Sequence, residues 1–91
     1  MQVLQTPTFK HQSKKLHQNQ KISLDEAIRN IISNPETGEL KKGDLSGVRV
    51  YKFKMQKQLT LIAYEFLDTK MELILLALGS HENFYSNLKN K

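Results

Sequence analysis

The sequence predicts an α+β fold: two N-terminal helices packed on a small twisted, mainly antiparallel sheet, with a short C-terminal helix. Before residue 34, apolar side chains recur at the spacing of a helix. From residue 48 onward, the pattern changes to the alternation that is typical of strands. The length of 91 residues predicts a single domain over residues 1–91.

The N-terminal half predicts a short strand followed by two helices. Residues 1–5 form the strand, and Thr6 with Pro7 marks the start of the first helix, because threonine caps helices and proline fits their first position. This mostly polar helix extends to residue 18. The segment from Ser23 to Glu26 fits a capping box and predicts the start of the second helix. That helix ends at residues 34–35, and its apolar stripe consists of Leu24, Ala27, Ile28, Ile31 and Ile32.

The C-terminal half predicts a turn and loop over residues 36–44 and then three antiparallel strands. The third strand is apolar on both faces, so it is predicted to lie in the interior of the sheet. Gly79 and Ser80 are predicted to break this strand, and the short helix follows at residues 81–91. The three strands cover residues 48–55, 59–66 and 71–78.

Composition narrows the function classes. The chain has no cysteine, which excludes disulfides, a thiolate nucleophile and cysteine-ligated metal sites. No stretch is apolar enough for a membrane helix, and the N-terminus lacks a signal-peptide pattern, so a cytoplasmic protein with no membrane partner is expected. Lysine and arginine outnumber the acidic residues and give a net charge of +5, which favours a polyanion or an acidic protein as partner. A basic protein that binds no polyanion is the alternative.

Two features favour phosphate chemistry. Lys52 and Lys54 are two residues apart on a strand, so both side chains lie on one face and can stabilise a phosphate; a solvated strand face is the alternative. His81 follows the third strand, and histidine can gain or lose a proton near neutral pH; a surface or capping histidine is the alternative. Arg49 alternates onto the opposite side of its strand and reaches the two lysines only if a bulge intervenes.

Three stretches carry a resemblance to a known family. They are GELKKGDLSGVRVYKFK at 38–54, LIAYEF at 61–66 and LLALGSHENFY at 75–85. In their order and spacing they resemble the RelE/ParE superfamily of toxins from bacterial type II toxin–antitoxin modules, closest to a ParE-like subgroup. The resemblance implies the fold described above and a cognate antitoxin as protein partner, whose acidic segment is expected to cover the active face or displace the last helix.

The RelE branch of this superfamily cuts mRNA in the ribosomal A site through the RNA's own 2′-hydroxyl and needs no metal or cofactor. The resemblance therefore implies a ribosome-dependent endoribonuclease, with the ribosome and mRNA as partners. Tyr85 matches the branch's C-terminal tyrosine, which stacks on a base; docking of the last helix is the alternative. The implied catalytic residues are His81, Tyr85, Lys52 and Lys54, and the implied RNA- or target-binding residues are Arg49, Lys57, Lys41 and Lys42.

One position departs from the RelE pattern. Leu61 stands where that branch carries an arginine that helps to hold the phosphate. ParE-type members, which poison DNA gyrase without an enzymatic step, lack the full catalytic set, so a gyrase poison is the second hypothesis. A non-toxic RNA-binding protein is the third. Glu65 is an alternative base, or the partner of a neighbouring lysine.

Overall fold

The computed structural model describes residues 1–80 and Phe84. The predicted C-terminal helix over residues 81–91 therefore lies outside the described residues, apart from Phe84. Between residues 1 and 80, the chain forms two helices and five strands. They are β1 (Gln2–Gln5), α1 (Pro7–Lys14), α2 (Gln18–Ser33), β2 (Glu39–Leu40), β3 (Arg49–Met55), β4 (Gln58–Leu67) and β5 (Glu72–Ser80), with a 3₁₀ turn at Gly43–Leu45.

The predicted α+β architecture is confirmed. The strands form one sheet in the order β1-β5-β4-β3-β2, in which β1 is parallel to β5 and every other pair is antiparallel. Helix α1 packs on β5 and α2 packs on β3, so both helices cover the same face of the sheet. Strand β5 lies between β1 and β4, as its apolar pattern predicted. Within the described residues, no helix is long and apolar enough to cross a membrane.

A single apolar layer joins the helices to the sheet. In α2 the predicted stripe is confirmed at Leu24, Ala27 and Ile31, which are buried, whereas Ile32 at the edge of the stripe is 38% exposed. Full burial of a leucine or isoleucine side chain contributes roughly 1.5–3 kcal/mol, so this stripe anchors α2 to the sheet. The same layer includes Phe9 of α1 and, from the sheet, Met55, Ile62, Tyr64, Leu73, Leu75 and Leu78.

The start of α1 is as predicted, but the boundary between the helices is not. Thr6 Oγ1 accepts a hydrogen bond from the Phe9 N–H at 3.1 Å and donates one to the Leu76 carbonyl at 2.7 Å. Helix α1 ends at Lys14, four residues earlier than predicted, and α2 already begins at Gln18.

The predicted capping box from Ser23 to Glu26 is wrong, because Ser23 lies inside α2 and its hydroxyl donates to the Asn19 carbonyl at 3.4 Å. The first turn of α2 is instead closed by Gln20, whose side-chain oxygen accepts from the His17 N–H at 2.8 Å. This turn is mostly polar and exposed, so the apolar stripe starts later than the helix itself.

The sheet face that points away from the helices is called the second face. Val50 of β3, Leu61 and Ala63 of β4 and Ala77 of β5 form a buried cluster on this face, together with Phe84. Tyr51 and Phe53 pack instead against the helix-side core, as the alternation of β3 requires. The second face therefore has its own small apolar centre, to which Phe84 also belongs.

Two predictions about the strands are corrected. Gly79 and Ser80 do not break β5, because they still pair with Leu61 and Thr60 of β4. The predicted loop over residues 36–44 contains the short strand β2, which pairs with the first two residues of β3. A two-residue strand carries no alternation that a sequence pattern could reveal.

The hairpin between β3 and β4 turns on two residues with left-handed backbone, Gln56 at φ 51° and Lys57 at φ 73°. Two-residue hairpin turns of this kind favour glycine at the second position. The Lys57→Gly variant is expected to have a free energy of unfolding about 0.5–1 kcal/mol higher than that of the wild type, because glycine adopts the left-handed backbone without the strain that lysine has there. Thermal unfolding monitored by circular dichroism measures the effect. Lys70→Gly, in a turn where lysine has no positive φ, is the matched control, and an equal gain in that variant would contradict the explanation.

Candidate functional site

The structure brings Lys52 and Lys54 together on the second face, as predicted. Both lysines are exposed on β3, and they pair in regular register with Leu61 and Leu59 of β4. Their neighbours in alternation, Tyr51 and Phe53, pack toward the helices, so the two ammonium groups project from the opposite side. Two exposed cations on one strand face give a surface on which an anionic group can be held.

A third lysine, Lys41, directly follows strand β2. Lys41 Nζ donates to Glu39 Oε1 at 2.8 Å. This hydrogen bond and the charge of Lys41 lower the pKa of the Glu39 carboxyl, and the charge of Lys52 acts in the same direction. Glu39, Lys41, Lys52 and Lys54 are called the basic cluster. Three lysines against one glutamate leave the cluster net positive.

The other two predicted binding lysines lie outside the basic cluster. Lys42 is exposed and immediately precedes the 3₁₀ turn. Lys57 is exposed at the tip of the β3–β4 hairpin, three residues beyond Lys54. Both exposed side chains add positive charge to the surface of the protein, but the basic cluster as defined above does not include them.

His81 and Tyr85, the two predicted catalytic residues from the end of the chain, lie outside the described residues. The structure does describe Phe84, which is 3% exposed and belongs to the buried cluster on the second face. A methyl group added to Gly79 would lie 3.4 Å from Phe84 Cδ1, so Phe84 packs closely over the end of β5. Phe84 is the direct chain neighbour of Tyr85.

The positions of Leu61 and Glu65 bear on the alternative readings. Leu61 is completely buried on the second face, opposite Lys52, so the site of the arginine expected in the RelE pattern is apolar. Glu65 is half-buried on β4 and lies four residues from Leu61, which corresponds to about 13 Å along a strand. Along the strand, Glu65 is therefore well separated from the paired residues Leu61 and Lys52.

Arg49 lies on the helix face, because the β3–β4 register is regular and the one irregularity on β4 falls between Ala63 and Tyr64 in its pairing with β5. Its Nη1 donates to the carbonyl of Gly38 at 2.9 Å and to that of Glu36 at 3.2 Å. Arg49 thus binds the loop before β2 and does not join Lys52 and Lys54.

Tyr64 is a functional candidate that the sequence reasoning missed. It is completely buried, its hydroxyl donates to the Pro35 carbonyl at 2.7 Å, and it accepts from the Gly38 N–H at 2.9 Å. Burial raises the pKa of the Tyr64 hydroxyl, and the hydrogen bond from Gly38 partly offsets this. The only local signal was a tyrosine within an otherwise apolar run, and buried tyrosines usually find a hydrogen-bond partner.

Comparison with known proteins decides the family. A family model described as "ParE-like toxin of type II bacterial toxin-antitoxin system" matches residues 3–89. The chain belongs to this family of toxins. A search of curated proteins found no match to the toxin.

Solved structures share the toxin's fold at low sequence identity. A mutant of the E. coli toxin RelE in the free state is 12% identical, with a TM-score of 0.75 over 97% of the toxin and 90% of that chain. The RelBE2 toxin–antitoxin complex from Mycobacterium tuberculosis gives 17% identity and a TM-score of 0.75 over 88% of the toxin and 96% of the matched chain. The YoeB/ParE toxin from Agrobacterium tumefaciens is 17% identical, with a TM-score of 0.71 over 89% of the toxin and 99% of the matched chain.

Proposed function

We propose that the toxin inhibits growth by cutting mRNA on the ribosome, and that the basic cluster forms part of the cleaving site. The observation that carries the proposal is the placement of Lys52 and Lys54, which are exposed side by side on the second face, with the Glu39–Lys41 ion pair on the neighbouring chain segment. The buried Phe84 lies on the same face and is directly followed by Tyr85. Tyr85 thus follows directly, in the sequence, a residue that packs on the face that carries the lysines, and this supports its assignment to the site.

Cleavage of RNA through its 2′-hydroxyl needs a base, a positive charge and an acid. A base removes the proton of the RNA 2′-hydroxyl, and the 2′ oxygen attacks the adjacent phosphorus. Positive charge stabilises the pentacoordinate phosphorane, which is the role we assign to Lys52 and Lys54. An acid then protonates the 5′ oxygen as the P–O5′ bond breaks, leaving a 2′,3′-cyclic phosphate. We assign proton transfer to His81 and stacking on a splayed base to Tyr85.

A cognate antitoxin is the proposed protein partner. The M. tuberculosis RelBE2 neighbour is a toxin–antitoxin complex, and the toxin shares its fold. The net charge of +5 and the exposed lysines of the basic cluster favour an acidic antitoxin segment. Such a segment neutralises the toxin by occupying the surface that RNA would otherwise use.

Poisoning of DNA gyrase is the second candidate, and one observation favours it. Leu61 is buried and apolar at the position where the RelE pattern carries a phosphate-binding arginine. Without that arginine, lysines alone stabilise the phosphate charge, and a lysine ammonium does not form the bidentate hydrogen bonds of a guanidinium. A gyrase poison does not need to bind a reacting phosphate in this way. The matching family model is also named for ParE.

Replacing His81 tests the cleavage proposal. We expect His81→Ala to lower ribosome-dependent cutting by about 10²–10⁴-fold, because it removes a proton-transfer group. Primer extension on a defined message in a reconstituted translation reaction, with and without ribosomes, measures the cuts. His11→Ala, on the exposed surface of α1, is the matched control and should cut like the wild type. Cutting at the wild-type rate by His81→Ala would remove His81 from the mechanism.

A further inference from the structure

Arg49 and Tyr64 lie directly opposite each other on β3 and β4, on the helix face of the sheet. Together they bind the backbone of the loop that leads into β2. Arg49 donates to two loop carbonyls, while the Tyr64 hydroxyl donates to a third and accepts the Gly38 N–H. Four hydrogen bonds therefore connect one pair of strand residues to residues 35–38. This set of contacts is called the loop clamp.

The loop clamp has little room for adjustment. Tyr64 is completely buried, and Gly38 is buried against its ring. A methyl group on Gly38 would lie 2.7 Å from the Tyr64 hydroxyl oxygen and 2.8 Å from Cε1. Without the hydroxyl, the buried Gly38 N–H has no partner among the described residues, and a buried unpaired donor is costly. The loop is thus held in one position relative to β3 and β4.

The position of β2 depends on this loop. Strand β2 contains two residues and pairs with β3 only at Val50 and Arg49, so its ladder is short. One further backbone bond follows, from the Lys41 N–H to the Val48 carbonyl at 2.9 Å. Gly38, the last residue in the loop clamp, directly precedes Glu39 of β2. A shift of Gly38 therefore also moves Glu39, the next residue in the chain.

The residues of β2 and its end contribute half of the basic cluster. Glu39 and Lys41 bind each other at 2.8 Å, and the charge of Lys52 acts on Glu39 from the neighbouring strand. We infer that Arg49 and Tyr64 are positioning residues, which act through residues 35–38 to hold Glu39, and Lys41 bound to it, in place against β3. Arg49 then serves the site from the opposite face of the sheet, without contacting the target. The consequence for cleavage rests on the proposed function; the consequence for β2 does not.

Amide hydrogen exchange of the free toxin tests the positioning directly. Tyr64→Phe is expected to speed exchange of the Gly38 and Lys41 amides by about tenfold or more. In this variant β2 can open locally without breaking the two hydrogen bonds of the Tyr64 hydroxyl, so opening costs less free energy. The Leu78 amide, bound to the Gln12 side chain at 2.7 Å on β5, should keep its rate. Ile62→Val, buried on the same strand, is the matched control for general loosening. Equal acceleration in both variants, or none at Gly38 and Lys41, would overturn the inference.

A double-mutant cycle extends the test to function. Tyr64→Phe is expected to slow cleavage by roughly 10–100-fold, since misplacement by about 1 Å has effects of that size. If the clamp acts through Lys41, adding Tyr64→Phe to Lys41→Ala should slow cleavage little further. Effects that multiply would contradict action through β2. A wild-type toxin that cuts no message would defeat the proposed function alone, because the exchange rates still decide the positioning.

Discussion

A variant in which Lys52 and Lys54 are both alanine is expected to lose cleavage by about 10³-fold or more, while folding normally. Removing a single group that stabilises transition-state charge typically costs about 10²–10³-fold. Both side chains are exposed, so their loss leaves the apolar layers of the sheet intact. Single-turnover cleavage in the reconstituted translation reaction, together with thermal unfolding, measures the two parts of this prediction.

The matched control removes the same charge elsewhere. Lys10 and Lys14 are exposed on α1, on the other side of the sheet from the basic cluster, and their double alanine variant changes the net charge equally. It should cut within about threefold of the wild type, because loss of distant exposed charge mainly weakens long-range attraction. Equal losses in the two variants would show that net charge, and not the basic cluster, drives cleavage.

Gly38→Ala is expected to cause the largest loss of stability, about 2–4 kcal/mol. The added methyl group meets the buried Tyr64 hydroxyl at 2.7 Å, so the ring must move and its hydrogen bonds to Pro35 and Gly38 weaken. For a domain of this size the midpoint of thermal unfolding should fall by about 10 °C or more. Urea unfolding at 25 °C gives the free energy independently.

The control for Gly38→Ala is Gly79→Ala in β5. There a methyl group lies 3.4 Å from Phe84 and meets no buried hydroxyl. This variant should change the free energy of unfolding by less than about 1 kcal/mol, since alanine suits a strand at least as well as glycine does. A Gly38→Ala variant as stable as Gly79→Ala would mean that the loop clamp tolerates displacement, which contradicts the role assigned to Tyr64.

Local periodicity accounts for the parts of the fold that were predicted. The stripe of α2 and the alternation of β3 are repeated over several turns or residues, so burial on one face leaves a clear pattern. The shared face of Lys52 and Lys54 was predictable for the same reason, since side chains two apart on a strand point the same way. The cap at Thr6 is a local signal as well, and the structure shows it making two hydrogen bonds.

Long-range pairing accounts for most of what was missed. That the Glu39–Lys41 ion pair lies against β3 depends on β2, whose two residues carry no recognisable pattern. The loop clamp depends on the hydrogen bonds that Arg49 and Tyr64 make with residues 35–38, which are distant from both strands in the sequence, and no local pattern predicts such contacts. Gly79 was predicted to break the strand, but it pairs with Leu61 in a strand that continues to Ser80, because the pairing with β4 overrides the local preference of glycine.

The most direct test of the central claim is primer extension with purified toxin in a reconstituted translation reaction, run beside a gyrase supercoiling assay. The wild type and the double alanine variant at Lys52 and Lys54 are compared in both. The basic cluster as a cleaving site predicts cuts in mRNA that require ribosomes and disappear in the variant, with supercoiling unaffected by either protein. Inhibition of supercoiling by a wild type that leaves the message intact would contradict the claim and assign the toxin to gyrase.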